Sequence, residues 1–265
     1  MLLDPDDITT KDVLSWQGLH LLHFDLSSCS QKVRIVMREL GIDFTSHPIN
    51  LVKGENRSSW YLGINTRGLV PVLVHDGAVH IESNDIISYL DETFAKPGAS
   101  LRPQTDVERN ELQALMDMED ARHADLREVT FTYLAPARTA EAKVGAKANP
   151  DPDLSFLGRM HAACATLDTR LARQPYLLGV RLTLADIAWY ITLHRLDLAG
   201  YPMNAHPHLA SYLRGLDARE SFRIERSAGP ALLRAAGSAY RNVQRWFGRS
   251  LKNDLTHQLQ HPSAS

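Results

Sequence analysis

The chain has 265 residues, 44% of them hydrophobic and 23% charged, with a formal net charge of −2. That is an ordinary globular composition, with enough chain for one large domain or two modest ones. It excludes a global electrostatic field for nucleic acid. It also excludes a disulfide framework, because Cys29 and Cys164 are the only cysteines, a usage that fits a reducing compartment. No stretch is apolar for long enough to span a membrane, and the acidic start Met1–Asp7 lacks the basic region of a secretory signal. A cytoplasmic location is expected.

In chain order, residues 1–17 read as a polar, loosely ordered extension. Leu19–Phe24 alternates apolar residues with His20 and His23 and reads as a strand. Asp25–Ser30 is a turn with several candidate helix caps. Val33, Val36, Met37 and Leu40 then fall on one helical stripe, which Gly41 ends as a C-cap. Asp43–Leu51 reads as a second strand, and a short helix forms around Trp60 and Leu62. Val70–Val74 is a β-branched run broken by Pro71. Asp76-Gly77 joins it to Val79–Ile81 as a hairpin. Ser83 can cap the next helix, in which Ile86, Ile87, Leu90 and Phe94 form the apolar stripe.

Residues 96–105 are a linker by composition. The signal beyond it is helical. Leu112, Leu115, Met116 and Glu119 open one helix, and Leu157, Met160, Cys164 and Leu167 mark another. Pro136, Gly145, Pro150 and Pro152 make Ala135–Ser155 a mobile loop between them. Thr183 and Asp186 have the spacing of a capping box. In residues 230–259, Leu232, Ala236, Tyr240, Val243, Phe247, Leu251, Leu255 and Leu259 share one stripe flanked by arginines. This stripe reads as an added helix packed on its own domain or across a dimer. The competing reading is a basic amphipathic helix at a membrane surface.

Two clusters carry chemistry. A cis Val70-Pro71 bond would turn the Val70 backbone outward, free to pair with an extended peptide. Glu82-Ser83 at a helix N-terminus makes a small anion site. On these residues alone, a plain hairpin packed on a helix is an equal reading. A thiolate placed at Ser27-Ser28-Cys29-Ser30 would meet the positive end of a helix and nearby hydroxyl donors, which lower a thiol pKa. Cys29 could itself be reactive there, giving thiol–disulfide exchange. The histidines show no metal spacing, so no metal is expected.

The pattern Asn65-x-x-Gly68-x-Val70-Pro71-Val72-Leu73, then Glu82-Ser83 and Ile87-x-Tyr89-Leu90, resembles the glutathione-binding half of the glutathione transferase superfamily. The resemblance covers roughly residues 19–220. It implies an α/β thioredoxin-like N-terminal domain at 18–95, an all-helical substrate domain at 106–228 and an amphipathic extension at 229–265. It implies glutathione as co-substrate, held by Lys53, Leu69, Val70, Pro71, Glu82 and Ser83. The thiolate would lie at Ser27, Ser28 or Cys29, with Ser27 the implied donor. The Ser27–Ile35 run and Pro48–Lys53 are similar to the zeta class, although Gln31-Lys32 replaces its usual Trp-Arg pair. Other motifs are similar to bacterial β-etherases. The implied activity is glutathione transfer to a small hydrophobic, aromatic-type electrophile, by a homodimer. The alternatives are β-aryl ether cleavage, a maleylacetoacetate-type isomerase and a non-catalytic glutathione-binding protein. His123, Tyr133 and Trp189 are candidates for the second-substrate pocket, against a packing role.

Overall fold

The computed structural model describes residues 1–134, 154–227 and 250–261, with Ser238, Ala239, Asn242 and Trp246 between the last two segments. It divides into two compact units, Met1–Arg109 with Glu220–Ala228, and Asn110–Arg219 with Gly229–Ser265.

The first unit is the expected thioredoxin-like layer. Its elements run β1 (Leu19–His23), α1 (Ser28–Leu40), β2 (Thr45–Pro48), α2 (Ser59–Leu62), β3 (Val72–His75), β4 (Ala78–His80) and α3 (Ser83–Phe94). The sheet order is β2-β1-β3-β4, with β1 and β2 parallel and the other pairs antiparallel. The β1/β3 register pairs Leu21 with Leu73 and Leu22 with Val72, so apolar residues of both strands fill the layer. Helix α1 buries Val33, Val36 and Met37 completely, and Gly41 ends it at φ 65°, a conformation that costs glycine nothing.

The N-terminal segment corrects the expectation of a loose extension. Leu2 bridges His80, Leu3 N–H donates to Val79 O at 2.9 Å, and Thr9 and Thr10 N–H both donate to Gly63 O. Ile8 and Val13 are buried in the core of the layer. The close approach explains two glycines. A Cβ on Gly63 would strike the Thr10 hydroxyl, and one on Gly77 would strike the Leu14 carbonyl. The segment interleaves its apolar residues with polar ones, and Ile8 and Val13 are placed where the sheet needs cover.

The second unit is helical: α4 (Asp106–Ala121, which begins in the first unit), α5 (His123–Val129), α6 (Ser155–Leu171), α7 (Leu184–Ala199) and α8 (Pro207–Asp217). Helix α9 (Glu220–Arg226) returns to the first unit, although the sequence boundaries gave it to the helical domain. Helix α10 (Leu251–Gln260) packs on α6.

Helix α7 is buried on nearly every side, which is why it starts with a capped end. The Asp186 carboxylate accepts from Thr183 N–H at 2.7 Å and from the Thr183 hydroxyl at 2.8 Å. It also accepts from Leu177 N–H and the Tyr212 hydroxyl.

Only part of the C-terminal stripe is described. Leu251 and Leu255 are buried and the Tyr133 hydroxyl donates to Asp254 at 2.6 Å, while Leu259 stays exposed. Leu232, Ala236, Tyr240, Val243 and Phe247 lie outside the described residues, as do Pro136, Gly145, Pro150 and Pro152. For α10 the packed reading holds, so Leu251 and Leu255 are not available to a membrane surface. Leu255→Ala is therefore expected to destabilise the protein by about 2–5 kcal/mol, the range for a buried leucine truncation. Thermal denaturation checks it, and an unchanged melting temperature would refute the packing.

Candidate active site

The sheet register brings the candidate residues to one end. Leu22 pairs with Val72, so the chain leaving β1 at Phe24 lies beside the chain entering β3 at Val70. Leu73 pairs with His80, so the exit from β4 at Glu82 lies at the same end. Helices α1 and α3 both start there and pack on each other. Two positive helix ends thus meet one end of the sheet's strands, an arrangement that favours anions.

The Val70 loop is held from inside. Tyr61 Oη donates to Leu69 O at 2.7 Å and Asn65 Nδ2 donates to the same oxygen at 3.0 Å. Asn56 Nδ2 donates to Gly68 O at 2.7 Å. Gly68 has φ 63°, and a Cβ there would press on the Asn56 carbonyl. The Val70-Pro71 bond is cis. Among the described residues, Val70 N–H and C=O have no backbone partner. Val70 and Pro71 are buried, whereas the Leu69 side chain is exposed.

At β4's exit the N-cap of α3 is Glu82, not Ser83, and Ser83 is the first helical residue. Glu82 adopts φ 65°. A non-glycine residue there is strained, and such outliers gather at ligand sites. Its carboxylate is ion-paired with Arg67. Ser83 is buried and Asn84 Oδ1 accepts from Lys32 Nζ at 2.8 Å, which joins α1 to α3.

Ser27 is the N-cap of α1, and its Oγ accepts from Ser30 N–H at 3.3 Å. A hydroxyl in that role keeps its proton to donate elsewhere. Ser28 and Cys29 lie in the first turn of the helix, partly buried like Ser27. Lys53 is exposed, in a turn where its backbone N–H donates to Asn50 Oδ1 at 3.0 Å.

Three residues carry weight that the sequence did not reveal. Arg67 is one, through its pair with Glu82. Arg34 and Glu225 are the others. The Arg34 guanidinium is buried and reaches Glu225 Oε2 at 2.5 Å. No local signal links residues 191 positions apart. The Gln31-Lys32 replacement also has a physical account, since both side chains are buried and Gln31 Nε2 donates to Glu225 O at 2.8 Å. Trp189 is core, its Nε1 donating to Leu115 O, and Tyr133 is tied to Asp254, so both are packing residues.

His23 accepts from Arg34 through Nδ1 at 3.0 Å, and its Nε2 contacts Ser46 Oγ at 2.7 Å. Burial, then the Arg34 charge, holds its pKa down from 6.5 to about 4. The unfolded state therefore binds the extra proton first, and stability falls as pH drops from 6.5 towards 4. Burial holds the His80 imidazole at about 4 as well and adds to the slope. Denaturant midpoints measured across that range should fall, and less steeply for His23→Asn. Equal slopes for the two proteins would refute the assignment to His23.

Among the described residues no group of three or more histidine, cysteine or carboxylate side chains could hold a metal, and no helix is long and apolar enough to cross a membrane.

Residues 26–93 match the glutathione S-transferase N-terminal domain, and residues 119–215 match the glutathione S-transferase C-terminal domain. The chain belongs to the glutathione transferase family. It is 26% identical over 197 residues to glutathione S-transferase D7 of Drosophila melanogaster, covering 74% of this chain and 83% of that one. It is 25% identical over 240 residues to the tetrachloro-p-hydroquinone reductive dehalogenase of Sphingobium chlorophenolicum, covering 78% and 94%. A glutathione transferase homolog from Drosophila mojavensis, solved with bound glutathione, superposes with a TM-score of 0.69 at 21% identity, covering 85% and 98%.

Proposed function

We propose that the protein is an enzyme that activates the glutathione thiolate for attack on a hydrophobic, aromatic electrophile. The observation that carries this reading is the convergence of the Ser27 turn, the Val70 loop and the Glu82-Ser83 helix end at one end of the sheet's strands. Glutathione is an extended peptide with a carboxylate at each end and a thiol between them. The unpaired Val70 backbone suits its cysteinyl unit, and Ser83 with the α3 N-terminus suits the γ-glutamyl carboxylate. The Ser27 hydroxyl then stabilises the sulfur as thiolate, the nucleophilic form. Lys53 and the Leu69–Pro71 backbone complete the grip. The dehalogenase relative acts on a halogenated aromatic ring, as its name states, and supports that electrophile class. The alternative reading is β-aryl ether cleavage, in which the thiolate attacks the alkyl carbon and a phenolate leaves. The reading carries with it a homodimer in the cytoplasm.

Turnover with glutathione and a panel of halogenated aromatics and aryl ethers tests the activity. Tight glutathione binding without turnover of any of them would instead identify a binding protein. Ser83→Ala tests the grip. It removes a hydroxyl at a charged ligand and should weaken glutathione binding by about 1.5–3 kcal/mol. Unchanged affinity in a calorimetric titration would remove Ser83 from the site.

A further inference from the structure

The side chains of α1 that face α9 form one connected network. Gln31, Arg34 and Arg38 recur at helical spacing and all reach Glu225. Gln31 takes the Glu225 main-chain oxygen, and Arg38 lies 3.3 Å from its carboxylate. Arg34 takes that carboxylate through Nε at 3.0 and 3.1 Å and through Nη2 at 2.5 Å.

The rest of the Arg34 fork turns the other way. Nη2 donates to Asp25 O at 2.9 Å and Nη1 to Phe24 O at 3.5 Å. Phe24 O also accepts Ser27 N–H at 3.0 Å. One buried guanidinium therefore holds two carbonyls of the segment that ends at Ser27. A planar guanidinium with five fixed donors can do this, and an ammonium on a flexible stem cannot.

We propose that Arg34 and Glu225 are positioning residues for the Ser27 hydroxyl, so that α9, whose Glu225 lies 191 positions along the chain from Arg34, is part of the thiolate site. The proposal rests on the reading of Ser27 as the thiolate donor. Glu225 orients Arg34, Arg34 fixes the Phe24 and Asp25 carbonyls, and the turn then presents Ser27. Neither charged residue needs to touch glutathione. The Glu225 carboxylate is shared between Arg34 and Arg38, so the test holds the charge constant to isolate the effect of geometry.

The test is ultraviolet titration of the glutathione complex, which reads the thiolate directly, on Ser27→Ala, Arg34→Lys and the double variant. Arg34→Lys keeps the charge and loses the fork. It should raise the bound thiol pKa by most of the Ser27→Ala shift and lower kcat about tenfold or more. The KM for glutathione should stay within about twofold, because the Val70 loop and Ser83 are untouched. The double variant should titrate like Ser27→Ala alone, since coupled residues are not additive. Arg34→Lys with a lowered melting temperature and a wild-type titration, beside a shifted Ser27→Ala, overturns the positioning role alone. An unshifted Ser27→Ala overturns the Ser27 reading and the positioning role with it. If Arg34→Lys does not fold, Glu225→Asp, which keeps the charge and draws the carboxylate back by one methylene, takes its place with the same expected and overturning results.

Discussion

Replacing Ser27 by alanine should cut turnover roughly ten- to a thousandfold, the effect of removing one donor from a stored or developing charge. The structure separates Ser27 from its neighbours in a way that sharpens this expectation. Ser27 is the N-cap, in extended backbone conformation at ψ 123°, while Ser28 and Cys29 have already entered the helix. A hydroxyl can donate to a thiolate through any number of turnovers. A thiol in the same place would attack a disulfide substrate, forming a mixed disulfide and expelling a thiolate, and would divert the enzyme to reduction at the expense of glutathione. Cys29→Ala should therefore keep most conjugation activity. Thiolate absorbance against pH, measured on both variants, decides between them. A titration that moves only for Cys29→Ala, with a mixed disulfide in the mass spectrum, would replace the serine mechanism with thiol exchange.

The second large effect is on stability. Asp186→Ala is expected to cost about 3 kcal/mol or more, because it leaves several buried donors unpaired at once. Those donors are Thr183 N–H, the Thr183 hydroxyl, Leu177 N–H and the Tyr212 hydroxyl. Burial pushes the Asp186 carboxyl above the usual carboxylate range, and the donors from Leu177, Tyr212 and Thr183 work against that push. Asp186 thus ties the segment before α7 to α8 as well as capping α7. A simple exposed capping residue costs only about 1 kcal/mol. Chemical denaturation distinguishes the two, and a loss near 1 kcal/mol would show that the Leu177 and Tyr212 bonds are replaced by water.

The pattern legible along the chain was local. The α1 stripe and its Gly41 stop, the Asp76-Gly77 hairpin and the Thr183–Asp186 box each depend on residues within a few positions. The short-range physics of turns, caps and periodicity is enough to read them. The Ser27, Val70 and Ser83 clusters were also legible, because each is a short motif beside a strand or helix end. Placing those three at one end of the sheet took the register, Leu22 against Val72 and Leu73 against His80.

What the residues could not announce was long-range. Residues 1–17 look polar, yet Ile8 and Val13 enter the core because Gly63 and Gly77 let the backbone close on them. Glu225 sits in a short run with no apolar pattern of its own, and reads as a surface charge until Arg34 meets it. A buried carboxylate is tolerable only where a partner already waits, and that partner is set by the packing of α1 against α9. Periodicity and caps therefore settled which segments become strands and helices. The tertiary fold decided which charges are buried, because burial depends on neighbours that are distant in sequence.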